Sequence, residues 1–185
     1  MLPWEHPMIR LFVCIPVPLG VRQRLQVLVA GLQGAHWISP ENMHLTLRFT
    51  GDVEEHRGDD INDALAAIHE PSFEVTLSGI VTFGRGHMVH TIWADIVCES
   101  ALLHLQGKIE RALIGAVLDA EGRKYTPHVT LARVRKSPKG KVTAWLGDYG
   151  GMNLRPFSVD GFALYRSRLS HSGAHYEMIS QYDLG

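Results

Sequence analysis

The 185-residue chain reads as an α+β protein, with mainly antiparallel sheets and helices packed outside them. Three observations predict this. Segments with strand and helix periodicity follow one another in the order strand, helix, strand, helix, strands, helix, strands. No long linker divides them. A weak internal repeat is present, in which an amphipathic helix twice precedes a strand opening His-x-Thr-Leu. The length fits one domain, or two small lobes sharing a cleft, and suffices to bury a substantial core.

Each element follows from its residues. Met8 to Val17 is an apolar, β-forming run closed by Pro16 and Pro18, a first strand. Leu19 to Leu32 places Val21, Leu25, Leu28, Val29 and Leu32 at helical spacing, and Gly34 supplies the stop. Trp37-Ile38 is a short extended piece, and Met43 to Thr50 a strand. Asp59 to His69 is a second helix, capped by Asp59 or Asp60 and ended by Pro71. Phe73 to Phe83 and Met88 to Val97 read as strands around a Gly84-Arg85-Gly86 hairpin loop. Ser100 to Leu118 is the longest helix, its stripe formed by Leu102, Leu105, Ile109, Ala112, Leu113 and Val117. His128 to Val134 is a strand, Lys136 to Lys141 a polar loop, and Val142 to Leu146 a short helix. Phe157 to Tyr165 and Ala174 to Tyr182 form a closing pair of strands around Ser170-His171-Ser172-Gly173.

Composition narrows the functional classes. Hydrophobic residues make up 45% and charged residues 20%, the balance of a soluble globular protein. Lys plus Arg number 18 against 19 for Asp plus Glu, so any RNA contact should be local rather than a broad basic face. Cys14 and Cys98 both sit in apolar runs and read as buried free thiols rather than a disulfide framework. Met1 to Pro7 lacks a basic region followed by an apolar stretch, so no signal peptide is expected. No apolar run approaches the length of a membrane span, and the cytoplasm is the expected location.

The chemistry lies in the repeat. His44-Leu45-Thr46-Leu47 and His128-Val129-Thr130-Leu131 begin 84 positions apart, each in a predicted strand. Side chains alternate along a strand, so each His and Thr share one face, ~6–7 Å apart, while the Leu and Val between them point to a core. Two such strands side by side offer two imidazoles and two hydroxyls to one cleft. Opening a cyclic phosphodiester needs a base for water and an acid for the departing ribose oxygen, and histidine serves as either near neutrality. Threonine hydroxyls suit the non-bridging oxygens, where charge grows in the transition state. The five-membered ester is strained, so no metal or other cofactor is required. A single His-x-Thr recurs by chance, and either copy alone would read as a polar residue on a half-exposed strand. The matched pair is what carries the argument.

At these residues the chain resembles the 2H phosphoesterases, and within them the LigT-like RNA 2′,3′-cyclic phosphodiesterases. The likeness runs through Arg10-Leu11-Phe12, Pro40 to Phe49 with Gly51, Tyr125 to Val134, Leu164 to Leu169, and Gly173 to Glu177. Thr50 stands where the family usually has Leu. The resemblance implies a two-lobed, pseudo-twofold fold of duplicated antiparallel sheets, with the motifs facing each other across a groove. It implies that His44 is the proton donor, that His128 is the proton acceptor, and that the product is a 2′-phosphomonoester with 2′–5′ RNA ligation as a possible reverse activity. Residues alone do not separate donor from acceptor. Thr46 and Thr130 are the expected phosphate ligands. Arg133 faces away from His128 by strict alternation, whereas in the family the matching Arg often reaches the phosphate, which would need a bend. Arg48 falls on the His44 face by alternation and is a candidate contact for the RNA backbone. Phe12 is a candidate for stacking on a terminal base, with core packing as its other role.

Other histidines offer weaker patterns. His87-x-x-His90 and His171-x-x-x-His175 lie in turns and lack a completing Cys or carboxylate, so they read as surface residues. The same holds for His36, His56, His69 and His104. Two rival readings remain from the residues: a metal-dependent hydrolase with His44 and His128 as ligands, and a non-catalytic RNA-end or nucleotide-binding module. The expected partner is an RNA end or cyclic nucleotide. No membrane or obligate protein partner is indicated, and a monomer is the default.

Overall fold

The computed structural model describes residues 7–27, 31–85, 88–97, 100–116, 118–135, 137, 139–170 and 173–185. Its strands are β1 (Met8–Pro16), β2 (Ala35–Trp37), β3 (His44–Glu54), β4 (Phe73–Val75), β5 (Leu77–Arg85), β6 (Met88–Ile96), β7 (His128–Val134), β8 (Phe157–Val159), β9 (Gly161–Ser170) and β10 (Gly173–Asp183). Its helices are α1 (Leu19–Val27), α2 (Arg57–Ala66), α3 (Ser100–Ala116) and α4 (Lys139–Tyr149), with a 3₁₀ turn over Pro40–Asn42. The α+β expectation is met. The strands pair antiparallel, and the main sheet runs β10-β9-β1-β3-β7-β6-β5, with β2 alongside β7. β4 and β8 form a separate ribbon.

The sheet is two sets of strands joined at a narrow waist. β3 meets β7 through the pair Leu45↔Val129, and both side chains are fully buried. The same apolar face carries Leu11, Val13 and Ile15 of β1 and Ile92, Ala94 and Ile96 of β6. Against it pack Ile61 and Leu65 of α2, Leu102, Leu105, Ile109 and Leu113 of α3, and Val142 and Trp145 of α4. Each fully buried Leu or Ile contributes about 1.5–3 kcal/mol by leaving water. The stripe predicted for the longest helix is, as far as Leu113, the face that covers the sheet, whereas the first helix ends at Val27 and buries only Leu25.

Both motif strands depart from simple alternation at the same place. In β3, Cys14 pairs with Thr46 and Val13 with Arg48, leaving Leu47 as an extra residue. In β7, Trp93 pairs with Thr130 and Ile92 with Ala132, leaving Leu131 extra. Each is a β-bulge three residues after the histidine, and a bulge reverses the facing of everything beyond it. The first six residues of the two strands have the same burial sequence, in which two buried residues in a row replace alternation. β3 bulges again at Thr50, and Gly51 follows with φ 75°, in the left-handed region that favours glycine.

Several boundaries differ from the sequence reading, each for a local reason. The first strand ends at Pro16, whose ring removes a donor, and the motif strand runs on to Glu54 past its bulges. The run Phe73 to Phe83 splits into β4 and β5, and Phe157 to Tyr165 into β8 and β9, because their first three residues pair with each other instead of with the main sheet. At the second split a Cβ on Gly161 would lie 2.7 Å from the Tyr182 carbonyl oxygen, so only glycine lets the chain cross there. α2 starts at Arg57, and Asp59 and Asp60 lie in its first turn, favourable to the helix dipole, instead of capping it. α4 begins at Lys139, taking in residues expected in a loop. Leu28, Val29, Gly86, His87, Cys98, Val117, Lys136, His171 and Ser172 lie outside the described residues, as does the opening segment Met1 to His6. Cys14 is buried and free, and its burial raises the thiol pKa. No helix among the described residues is long and apolar enough to cross a membrane.

Candidate active site

The waist of the sheet brings the two motifs together. Antiparallel pairing of Leu45 with Val129 sets His44 beside Thr130 and Thr46 beside His128, all on the face opposite the core. The histidines are then diagonal neighbours, a separation of ~7–8 Å at the backbone. Neither threonine hydroxyl is engaged by another group among the described residues.

Each imidazole is oriented by the carbonyl two residues before it. His44 Nδ1 lies 2.7 Å from the Asn42 carbonyl oxygen, and His128 Nδ1 lies 2.8 Å from that of Thr126. A carbonyl only accepts, so Nδ1 carries the hydrogen in both rings and Nε2 is left to the cleft. Each ring also packs on an aromatic of the neighbouring strand. His44 lies 4.9 Å from Phe12, and His128 lies 4.6 Å from Trp93, both at 34°.

The surroundings then diverge. Tyr176 of β10 meets His44 edge-on at 5.3 Å, and Asn42 donates to the Ala174 carbonyl oxygen at 3.3 Å, tying the turn before His44 to the same strand. Burial is the main cause that pushes the His44 pKa down to about 4. The carbonyl of Asn42 opposes the shift, and charge on His128 adds to it. His44 is therefore neutral at pH 7 in the unliganded protein.

The bulges decide the fate of the two arginines. Alternation put Arg48 on the His44 face; the bulge at Leu47 turns it inward instead. Its side chain is 9% exposed. It pairs with Glu110 at 2.6 Å and Glu121 at 3.2 Å. It also donates to the carbonyl oxygens of Phe49 at 2.8 Å and Asp119 at 2.7 Å. These bonds occupy the guanidinium and hold it off the His44 face, which corrects the facing expected from alternation; it lines instead the cleft walled by Glu110, Glu121 and Tyr125. Arg133 moves the opposite way. The bulge at Leu131 supplies the bend it needed and delivers it to the His128 face, where it donates to the Thr91 hydroxyl at 3.3 Å. Its charge also reaches the Tyr176 hydroxyl, whose pKa is raised chiefly by burial. Phe12 is 2% exposed and ringed by His44, Phe49, Tyr165 and Tyr176, so it supports His44 from below and offers no face to a base. That corrects the stacking expectation in favour of packing.

The site thus presents two imidazole Nε2 atoms, two free hydroxyls and one guanidinium on one face, drawn from both halves of the sheet. The sequence profile described as LigT like Phosphoesterase matches residues 15–93 and again 97–176, nearly the whole chain. The chain belongs to the LigT-like phosphoesterase family.

Its relatives in this family include proteins named RNA 2′,3′-cyclic phosphodiesterase. That of Thermus thermophilus is 30% identical, covering 95% of this chain and 90% of the relative. That of Thermotoga maritima is 29% identical over 92% of each. Among solved structures, one from Thermus thermophilus superposes with a TM-score of 0.81 at 24% identity, covering 94% of this chain and 97% of that one. Escherichia coli LigT complexed with 3′-AMP gives 0.78 at 21%, covering 96% and 99%. At these identities the structures establish the shared fold, the LigT-like architecture expected from the motifs.

Several residues at the LigT-like site escaped the sequence reading. Trp93 and Tyr176 contact the histidines, but nothing in their local pattern separates them from core aromatics. Asn42 and Thr126 act through backbone carbonyls, which no side-chain motif records. Phe49 is the counterpart of Arg133, turned outward by the equivalent bulge.

Proposed function

We propose that the protein hydrolyses RNA 2′,3′-cyclic phosphate ends to 2′-phosphomonoesters by metal-independent acid–base catalysis. The observation that carries this reading is the pair of imidazoles on one face of adjoining strands, each with Nδ1 bonded to a backbone carbonyl and Nε2 left available. Names of the family relatives support the substrate class.

Water attacks phosphorus as His128 Nε2 takes its proton. The new O–P bond forms on one side, and the P–O3′ bond breaks on the other. His44 Nε2 gives a proton to O3′, following the roles the family resemblance implies. The hydroxyls of Thr46 and Thr130 and the guanidinium of Arg133 receive the charge that grows on the non-bridging oxygens. Because His44 is neutral in the empty site, the phosphodiester anion is what raises its proton affinity and charges it. Proton donation is thereby linked to substrate occupancy. An RNA 5′-hydroxyl in place of water would form a 2′–5′ linkage by the same steps.

The test is product analysis on an RNA ending in 2′,3′-cyclic phosphate with excess chelator present. The expected outcome is a 2′-phosphate end, with His44→Ala and His128→Ala each lowering kcat by about 10² or more. Activity abolished by chelation and restored by a metal would favour the metal-ligand reading. Binding without turnover in the unaltered protein would favour a non-catalytic module.

A further inference from the structure

We propose that Trp93 is a positioning residue for this reaction: its indole face holds the positive charge that forms on His128 as that ring takes the proton from water. The inference rests on the cyclic phosphodiesterase reading and adds what fits one of two similar histidines to be the acceptor.

The two imidazoles lie over different rings at matched places in the sheet. His128 is 4.6 Å from Trp93 and His44 is 4.9 Å from Phe12, each at 34°. Flat rings meeting edge to edge cannot come this close, so His128 lies over the indole face, within the ~6 Å at which a cation is attracted to it. Of the aromatic side chains, Trp attracts a cation most strongly. The chemistry makes opposite demands on the two histidines. An acceptor gains charge in the transition state, and a cation-favouring face under it lowers the barrier. A donor loses charge, and the same face would hinder it. The stronger ring lies under His128 and the weaker under His44, in keeping with the proposed roles.

Trp93 is not held there by its polar atom. Its Nε1 is buried and has no hydrogen-bond partner among the described residues, a cost that a phenylalanine in its place would not carry. Phe83 stacks with the indole at 5.9 Å and 20°, which helps fix its plane. Other charged and titratable groups also face His128. Asp95 is its direct partner across β6, on the same face and half-buried. His44 stands diagonally across β3, with Tyr176 of β10 beyond it, and Arg133 shares the face on β7. On the cleft side are Arg123 and Lys124, with Glu110 and Glu121 paired to Arg48. Asp95 would stabilise the same charge, so the test removes it separately.

The experiment replaces Trp93 alone with tryptophans carrying one to four ring fluorines. These keep the indole's shape while drawing electron density from its face, which weakens its hold on a cation step by step. With a 2′,3′-cyclic mononucleotide as substrate, kcat should fall with each fluorine, reaching about tenfold at four, while KM stays within about twofold. The same steps should appear in the Asp95→Asn background. Trp93→Phe should fall between the unaltered protein and Trp93→Leu, because a benzene face holds a cation less well than an indole. A kcat that is flat across the fluorine series overturns the inference, as does a loss confined to KM. A fall seen only in Trp93→Leu also overturns it, since that outcome marks packing. If the unaltered protein turns over no cyclic phosphate, the phosphodiesterase reading fails separately. The effect of Trp93 on His128 is then judged by NMR titration of the His128 ring, which must move to lower pH by about half a unit with four fluorines. An unmoved titration overturns the inference.

Discussion

At the scale of single residues, the two histidines share a chemical design and differ in environment. Both spend Nδ1 on a backbone carbonyl, so substitution by Asn or Gln would keep some packing and lose the paired geometry. His44 alone is enclosed by Phe12 and Tyr176, which accounts for its proton affinity. Its pKa is about 4 in the folded chain against ~6.5 when unfolded. Between those values the unfolded chain binds more protons, so stability falls as pH drops from ~6.5 toward 4 and levels off below. An NMR titration of the free protein should show the His44 ring titrating near 4 and moving upward when a 2′-nucleotide binds. The His44→Gln variant should have a flatter stability profile in that window, measured by urea unfolding. A free-protein value near 6.5 would remove both expectations.

At the scale of elements, the matched bulges assign the arginines. One extra residue in β3 buries Arg48, and one in β7 exposes Arg133 to the site. The two substitutions should therefore fail differently. Arg48→Ala strands the Glu110 carboxylate, which is 19% exposed. Its stability loss should approach the ~3–5 kcal/mol of a broken buried pair, read from the denaturant midpoint. Arg133→Ala should unfold at nearly the same midpoint as the unaltered protein but lose about 10² in kcat/KM, as for removal of one donor to a developing oxyanion. Alternation alone predicts the reverse pairing. The residues of both strands were legible as strands, and the His, Thr, Leu and Val positions fell on their expected faces. The failure at Arg48 came from register, because a bulge is set by cross-strand partners that a single strand's pattern does not contain.

At the scale of the whole molecule, the site exists because two separate strand sets meet at one residue pair. Leu45→Ala should cost about 2–5 kcal/mol through the cavity left at that junction, and unfolding monitored by Trp fluorescence would measure it. A cost below about 1 kcal/mol would show that the waist repacks and is not what holds the motifs in register. The sequence by itself determined the α+β class, the helices that cover the sheet and the two His-x-Thr pairs, because periodicity and short motifs are local properties carried in consecutive residues. Tertiary structure alone decided which strands are neighbours, where β3 and β7 bulge, which arginine stands on the histidine face, and why one imidazole resists protonation. Those depend on pairing between segments dozens of residues apart and on the burial it produces. No run of adjacent side chains encodes either one.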